Sequence, residues 1–193
     1  VVYYVTAARA FDETVSFSVP TGNFGNVLAG WIARRGGADI NRLHVASNSN
    51  DILTRFICDR DMSATEVTPT LSPSMDIQVS SNFERLLFEM NARDGQRTAA
   101  QMAAFRSEGR LEVSAAQHAE WIEPVFTAGR VNDADTLDEI ARVHAECGML
   151  IDPPTATGTR VARTRGGDEP VITLATAHPP KFPAAVEQAT GIR

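Results

Sequence analysis

The stretch Pro20 to Asn26 (PTGNFGN) holds the residue types and spacing best suited to chemistry. It follows a β-branched and aromatic run, Val15 to Val19 (VSFSV). It precedes apolar positions Phe24, Val27, Leu28, Ile32 and Ala33, which recur at helical spacing until Gly36 and Gly37 stop them. The expected order is strand, glycine turn, helix over Phe24 to Arg35. At such a junction free backbone amides and the helix dipole converge on an anion, and a phosphate needs no cationic side chain there. Gly22 and Gly25 let the backbone approach phosphate oxygens without a Cβ in the way, while Asn23 and Asn26 can add donors or cap the helix. The stretch lacks the Gly-Lys-Ser/Thr end of a nucleotide P-loop and the spacing of a dinucleotide fingerprint, which weakens ATP and NAD readings. A purely structural strand-to-helix turn stands beside the phosphate turn as an equal reading.

Other candidates carry balanced readings. Ser72, Ser74, Asp76, Ser81 and Asn82 form a polar cluster that suits a phosphorylated amino acid, and loop closure and capping explain most of them too. Asn48, Asn50 and Asp51 share that ambiguity, since Asn and Asp are the usual start of a helix. His144 and Cys147 lie at a spacing that places both on one helix face, but no second ligand pair stands near them, so no metal site is expected. Lys181 is the sole lysine of the sequence, so lysine chemistry must use it or come from elsewhere.

The surrounding pattern alternates strand and helix. Leu43 to Ala46 reads as a second strand, followed by a helix from Asn48–Asp51 to about Arg60. Thr68 to Ile77, with two prolines, reads as a loop. Ser81 and Glu84 have capping-box spacing ahead of the apolar run Phe83, Leu86, Leu87 and Met90, and Thr136 and Glu139 repeat it. From Ala92 to Cys147 the pattern is almost wholly helical, broken near Asp94, Gly109 and Gly129. Leu150 and Ile151 form a small expected strand, Thr155 to Arg165 a helix, Val171 to Ala175 the last strand, and Pro183 to Thr190 a final helix. The fold class expected is α/β: three layers, α/β/α, around a mainly parallel sheet. The division expected is an α/β part over 1–91, a helical insertion over 92–147, and the rest of the α/β part over 148–193.

Composition narrows the function classes. Hydrophobic residues at 43% and charged residues at 22% of 193 suit a globular chain, and a net charge of -6 without a basic run disfavours nucleic acid as a partner. No apolar stretch is long enough for a bilayer, and two cysteines make no disulfide framework, so a cytoplasmic location is expected. Val1 to Phe11 reads like a helix joined midway, and a truncated protein is expected.

Beyond PTGNFGN, four further ordered stretches, SNSNDILTRF (Ser47 to Phe56), TLSPSMDIQVSSNFERLLFE (Thr70 to Glu89), DPPTATG (Asp152 to Gly158) and LATAHPPKFP (Leu174 to Pro183), resemble the threonine synthases. These are pyridoxal-phosphate enzymes of fold type II, the tryptophan synthase β-like class. The resemblance implies the cofactor pyridoxal 5'-phosphate, with Gly22, Asn23, Phe24 and Asn26 at its phosphate and Gly25 shaping the turn. It implies that the Thr176 hydroxyl meets the pyridine nitrogen, where the residues alone allow a simple strand cap. His178, beside it, fits proton transfer or packing. The implied reaction converts O-phospho-L-homoserine and water to L-threonine and phosphate. Two departures stand out: Pro154 occupies the place of a family histidine, and the family's Schiff-base lysine belongs to an N-terminal part absent from this sequence. Lys181 does not occupy that lysine's position, so no catalytic residue is assigned and the isolated chain is expected to be inactive. Another type II lyase, such as a threonine dehydratase, and a noncatalytic phosphate-binding protein remain alternatives.

Overall fold

The computed structural model describes residues 1–192. Along the chain lie α1 (Val2–Ala8), β1 (Val15–Pro20), α2 (Gly25–Arg35), β2 (Ile40–Ser47), α3 (Ile52–Asp59), β3 (Met62–Ser63), α4 (Phe83–Met90), α5 (Gly95–Glu108) and β4 (Arg110–Leu111). Then follow α6 (Ala115–Trp121), β5 (Phe126–Arg130), α7 (Asp133–Cys147), α8 (Pro153–Arg165), β6 (Val171–Thr173) and α9 (Pro183–Thr190). Four strands form one sheet in the order β5-β2-β1-β6, and every pairing is parallel. β3 and β4 make a separate antiparallel pair.

The period-two alternation of the strands sorts their residues between the two faces. Val15, Phe17 and Val19, Leu43 and Val45, and Phe126 and Ala128 join α2, α3 and α4 in the large core. The opposite face presents small groups to α8: Ala46 packs with Val161, and the Ser18 hydroxyl donates to the Gly158 carbonyl at 2.6 Å. A Cβ on Gly158 would stand 2.8 Å from Pro20 Cγ and 2.9 Å from Thr173 Cγ2, so glycine is what lets α8 lie flat on the sheet. Asp152 caps α8 by accepting from the Thr155 amide at 2.9 Å, with Pro153 and Pro154 in the first turn. The layers are therefore α/β/α, as the alternation of strand and helix predicts.

Near the other end of that face, His44 is buried, with Nδ1 2.6 Å from Thr127 Oγ1 and Nε2 unpartnered. Burial lowers its pKa, against an opposing pull from Glu169 and with a smaller push from Arg42.

Several local expectations need correction. The section 92–147 is not wholly helical, because Gly129 and Arg130, expected as a helix break, lie in β5 and pair with Ala46 and Ser47 of the main sheet. Its C-terminal half therefore belongs to the α/β layers and not to an insertion. A strand of five residues is too short for apolar periodicity to separate it from helix. Leu150 and Ile151 form no strand; Ile151 instead packs with Ile140, Val143 and Ala156. Neither capping box forms. Asn132 caps α7 by accepting from the Asp135 amide, so Thr136 lies one turn inside, and buried Glu139 turns to Arg163 Nε at 2.8 Å. α8 begins two residues earlier than the pattern suggests, and β6 ends two residues sooner.

Candidate functional site

The Thr21 amide donates to the Ala46 carbonyl at 3.0 Å, so the chain leaves the sheet where β1 and β2 end, the usual ligand side of a parallel sheet. The turn then enters α2 through Phe24, whose φ of 63° is left-handed and costs a side chain about 1–2 kcal/mol. Burial of the ring offsets that strain, since a buried Phe contributes about 1.5–3 kcal/mol. The ring meets Phe83 edge-on at 5.5 Å and lies 5.8 Å from Phe126. Phe24 thus anchors the turn in the core, and only its backbone is available to a ligand.

Two neighbouring residues fix which way the turn faces. Ser80 donates its hydroxyl to the Gly22 carbonyl, and Asn82 donates both its backbone amide (3.1 Å) and its Nδ2 (2.9 Å) to the Asn23 carbonyl. The peptides are trans, so the amides of Asn23 and Phe24, in the same peptide planes, face away from Ser80 and Asn82. No side chain caps α2, which leaves its first amides for an external acceptor. Ser81, expected as a helix cap, instead reaches Asn23 Oδ1 at 3.4 Å.

The turn borders a cleft of about 240 Å³, lined by Pro20, Thr21, Gly22, Asn23, Gly25 and Asn26, by Ser74 and Met75, and by Thr176. None of these side chains is charged. The second wall is tight: a Cβ on Gly22 would stand 3.0 Å from Met75 Cα, the Ser74 carbonyl oxygen and Ile77 Cδ1. Thr176 reaches the cleft because β6 runs parallel to β1, with Thr173 opposite Ser18, and the chain continues past that strand end. An anion here would be held by backbone amides and a hydroxyl, in the uncharged manner that the turn's composition suggests.

Of the residues singled out in the sequence, Gly22, Asn23, Gly25, Asn26 and Thr176 come together around this cleft. Asn48, Asn50 and Asp76 interlock behind it. Lys181 is exposed in a 3-10 turn, Pro179–Lys181, preceded by exposed His178, and neither lines the cleft. His144 and Cys147 lie at the end of α7, and among the described residues no cluster of His, Cys, Asp and Glu could hold a metal ion. The sequence reading missed Ser80 as the holder of Gly22 and Met75 as the second wall. A run of Ser80, Ser81 and Asn82 ahead of a helix signals capping as strongly as it signals a clamp.

Comparisons with known proteins agree with this architecture. Residues 155–193 match the family model described as Threonine synthase, C-terminal. Over 196 residues the chain is 46% identical to the threonine synthase of Pseudomonas aeruginosa, covering 98% of this chain and 41% of that relative. A threonine synthase structure from Brucella melitensis, bound to pyridoxal phosphate, superposes with a TM-score of 0.93 at 45% identity, covering 99% of this chain and 42% of that one. The yeast threonine synthase gives a TM-score of 0.87 at 34% identity, covering 97% and 41%. The fold is that of the type II pyridoxal-phosphate enzymes. Within that class, the chain corresponds to the C-terminal portion of the threonine synthases. It spans about two fifths of the length of the relatives it matches.

Proposed function

We propose that this chain forms the cofactor-phosphate side of an enzyme converting O-phospho-L-homoserine and water to L-threonine and phosphate. The observation that carries the reading is an uncharged cleft lined by the glycine turn, whose helix has no side-chain cap, and by Thr176. Its residues fit pyridoxal phosphate: Gly22, without a Cβ, lets the Ser74–Met75 wall close on the turn, and backbone amides there offer donors without charge. Bound there, the cofactor supplies the electron withdrawal that makes a substrate's carbon-bound protons labile. The chain's own part is to bind and orient. The amides of Asn23, Phe24 and the first turn of α2 hold the phosphate, and Thr176 hydrogen-bonds the ring nitrogen without delivering the full proton that a carboxylic acid would. Ser74 and Met75 close the cleft on its second side.

The lysine that carries the cofactor comes, in this reading, from residues outside this sequence. Two facts support that: relatives are more than twice as long, and Lys181 is exposed in a turn apart from the cleft. Alone, the 193 residues form no threonine. Among the described residues no helix is long and apolar enough to cross a membrane, and both cysteines are free. The test is an assay of the full-length protein for phosphate release and threonine formation from O-phospho-L-homoserine. Threonine is the expected product. Ketoacid release from threonine would replace the reading with a dehydratase, and inertness toward both substrates would favour a noncatalytic phosphate-binding protein.

A further inference from the structure

Asn48 and Asp76 lie outside the cleft lining, yet their hydrogen bonds converge on the short turn that forms its second wall. Asn48 is 2% exposed and directly follows β2. Its Nδ2 lies 2.7 Å from Asp76 Oδ1, 2.8 Å from Thr70 Oγ1 and 3.0 Å from Ser72 Oγ. Asn50 Nδ2 also donates to Asp76 Oδ1, and the Thr70 amide donates to Asp76 Oδ2, each at 3.0 Å. Both carboxylate oxygens are therefore engaged. Asp76 stands between Met75 and Ile77, the two residues whose atoms close on Gly22 together with the Ser74 carbonyl. The same strand end holds the glycine turn from its other side, through the Ala46 carbonyl and the Thr21 amide.

A network of buried amides around a half-buried carboxylate is a costly way to close a loop, because polar groups must leave water; what it provides is a fixed geometry. Here that geometry sets the distance between two backbone segments in van der Waals contact, one of which presents the anion-binding amides. We infer that Asn48 and Asp76 are positioning residues: they hold Ser74 and Met75 against Gly22 and so keep the amides at the spacing an anion requires. The inference rests on the reading of the cleft as a phosphate site.

The experiment uses the full-length protein and titrates pyridoxal phosphate by its absorbance. Asn48→Ala and Asp76→Ala weaken binding about tenfold or more, the range typical when supporting partners of a ligand are removed, and they shift the band of the bound cofactor. Affinity for inorganic phosphate, measured by competition, falls in parallel. Asp76→Asn keeps one acceptor and recovers part of the affinity; it also provides a milder variant should the alanine forms fail to fold. Thr127→Val, which disturbs the His44 contact away from the cleft, serves as the control and lowers the melting temperature without changing affinity. If the Asn48 and Asp76 variants lose melting temperature as the control does while affinity and band stay wild-type, the inference is overturned. If the wild-type protein binds no pyridoxal phosphate, the phosphate-site reading itself fails, a result distinct from the first.

Discussion

Gly22 carries the sharpest constraint at the scale of single residues. Its missing Cβ leaves room for Met75, Ser74 and Ile77 to close on the turn, at distances where backbone atoms cannot give way cheaply. Gly22→Ala therefore displaces either the turn or the second wall. We expect a loss of about 1–3 kcal/mol in stability, as overpacking commonly costs, together with weakened pyridoxal phosphate binding in the full-length protein. Thermal melting and cofactor titration check the two effects separately, and an unchanged affinity would show that the wall is not part of the binding surface. Phe24 illustrates a different division of labour, in which a side chain serves the core so that its backbone can serve the site. That arrangement was not legible in the sequence, where Phe24 reads as the first apolar position of a helix and only the family resemblance makes it a phosphate contact.

Among the elements, β1 and α2 were legible because their signals are local: a β-branched run, a glycine turn and a helical apolar stripe follow one another without interruption. β5 was not, since five residues inside a helical section carry no distinguishing period, and only pairing with β2 makes them a strand. The clamp from Ser80 and Asn82 and the network of Asn48 and Asp76 were hidden for a related reason. Asn48 and Asp76 are 28 residues apart, and their bond exists only once β2 and the Pro73–Met75 turn have come together. The contact of α8 with the sheet is testable in the same physical terms. Gly158→Val pushes its side chain into Pro20 and Thr173, and a drop in melting temperature with no gain in any binding constant is expected.

His44 gives the sheet a pH dependence of definite sign. Its folded pKa lies below the ordinary value of 6.5 because burial disfavours the charged ring, so between those values the unfolded chain binds more protons than the folded one. This contribution is present above about pH 6.5 and is lost as pH falls toward the folded pKa. Glu169, held low by the Ser16 hydroxyl and by further hydrogen bonds, adds a separate loss that begins near the ordinary carboxylate value of 4.5. Melting temperatures measured from pH 7 downward should show the first limb in the wild type and not in His44→Leu. A limb that survives the substitution would assign it to another group.

For the whole molecule, the layers and the parallel sheet, with the glycine turn at the strand ends, have the fold of the type II pyridoxal-phosphate enzymes, within a chain that spans about two fifths of its relatives. The resemblance to threonine synthases was legible from five ordered stretches, whereas the residues that set the cleft's shape needed the fold. In the proposed enzyme, specificity between phosphohomoserine and other amino acids would depend on both sides of a cleft, of which this chain would supply one. The proposed division of labour, with the phosphate cradle here and the cofactor lysine elsewhere, makes a chemical prediction of its own. Borohydride reduction of the full-length protein loaded with pyridoxal phosphate, followed by peptide mapping, locates the modified lysine. The label is expected on a lysine outside these 193 residues; a label on Lys181, or none at all, would contradict the account.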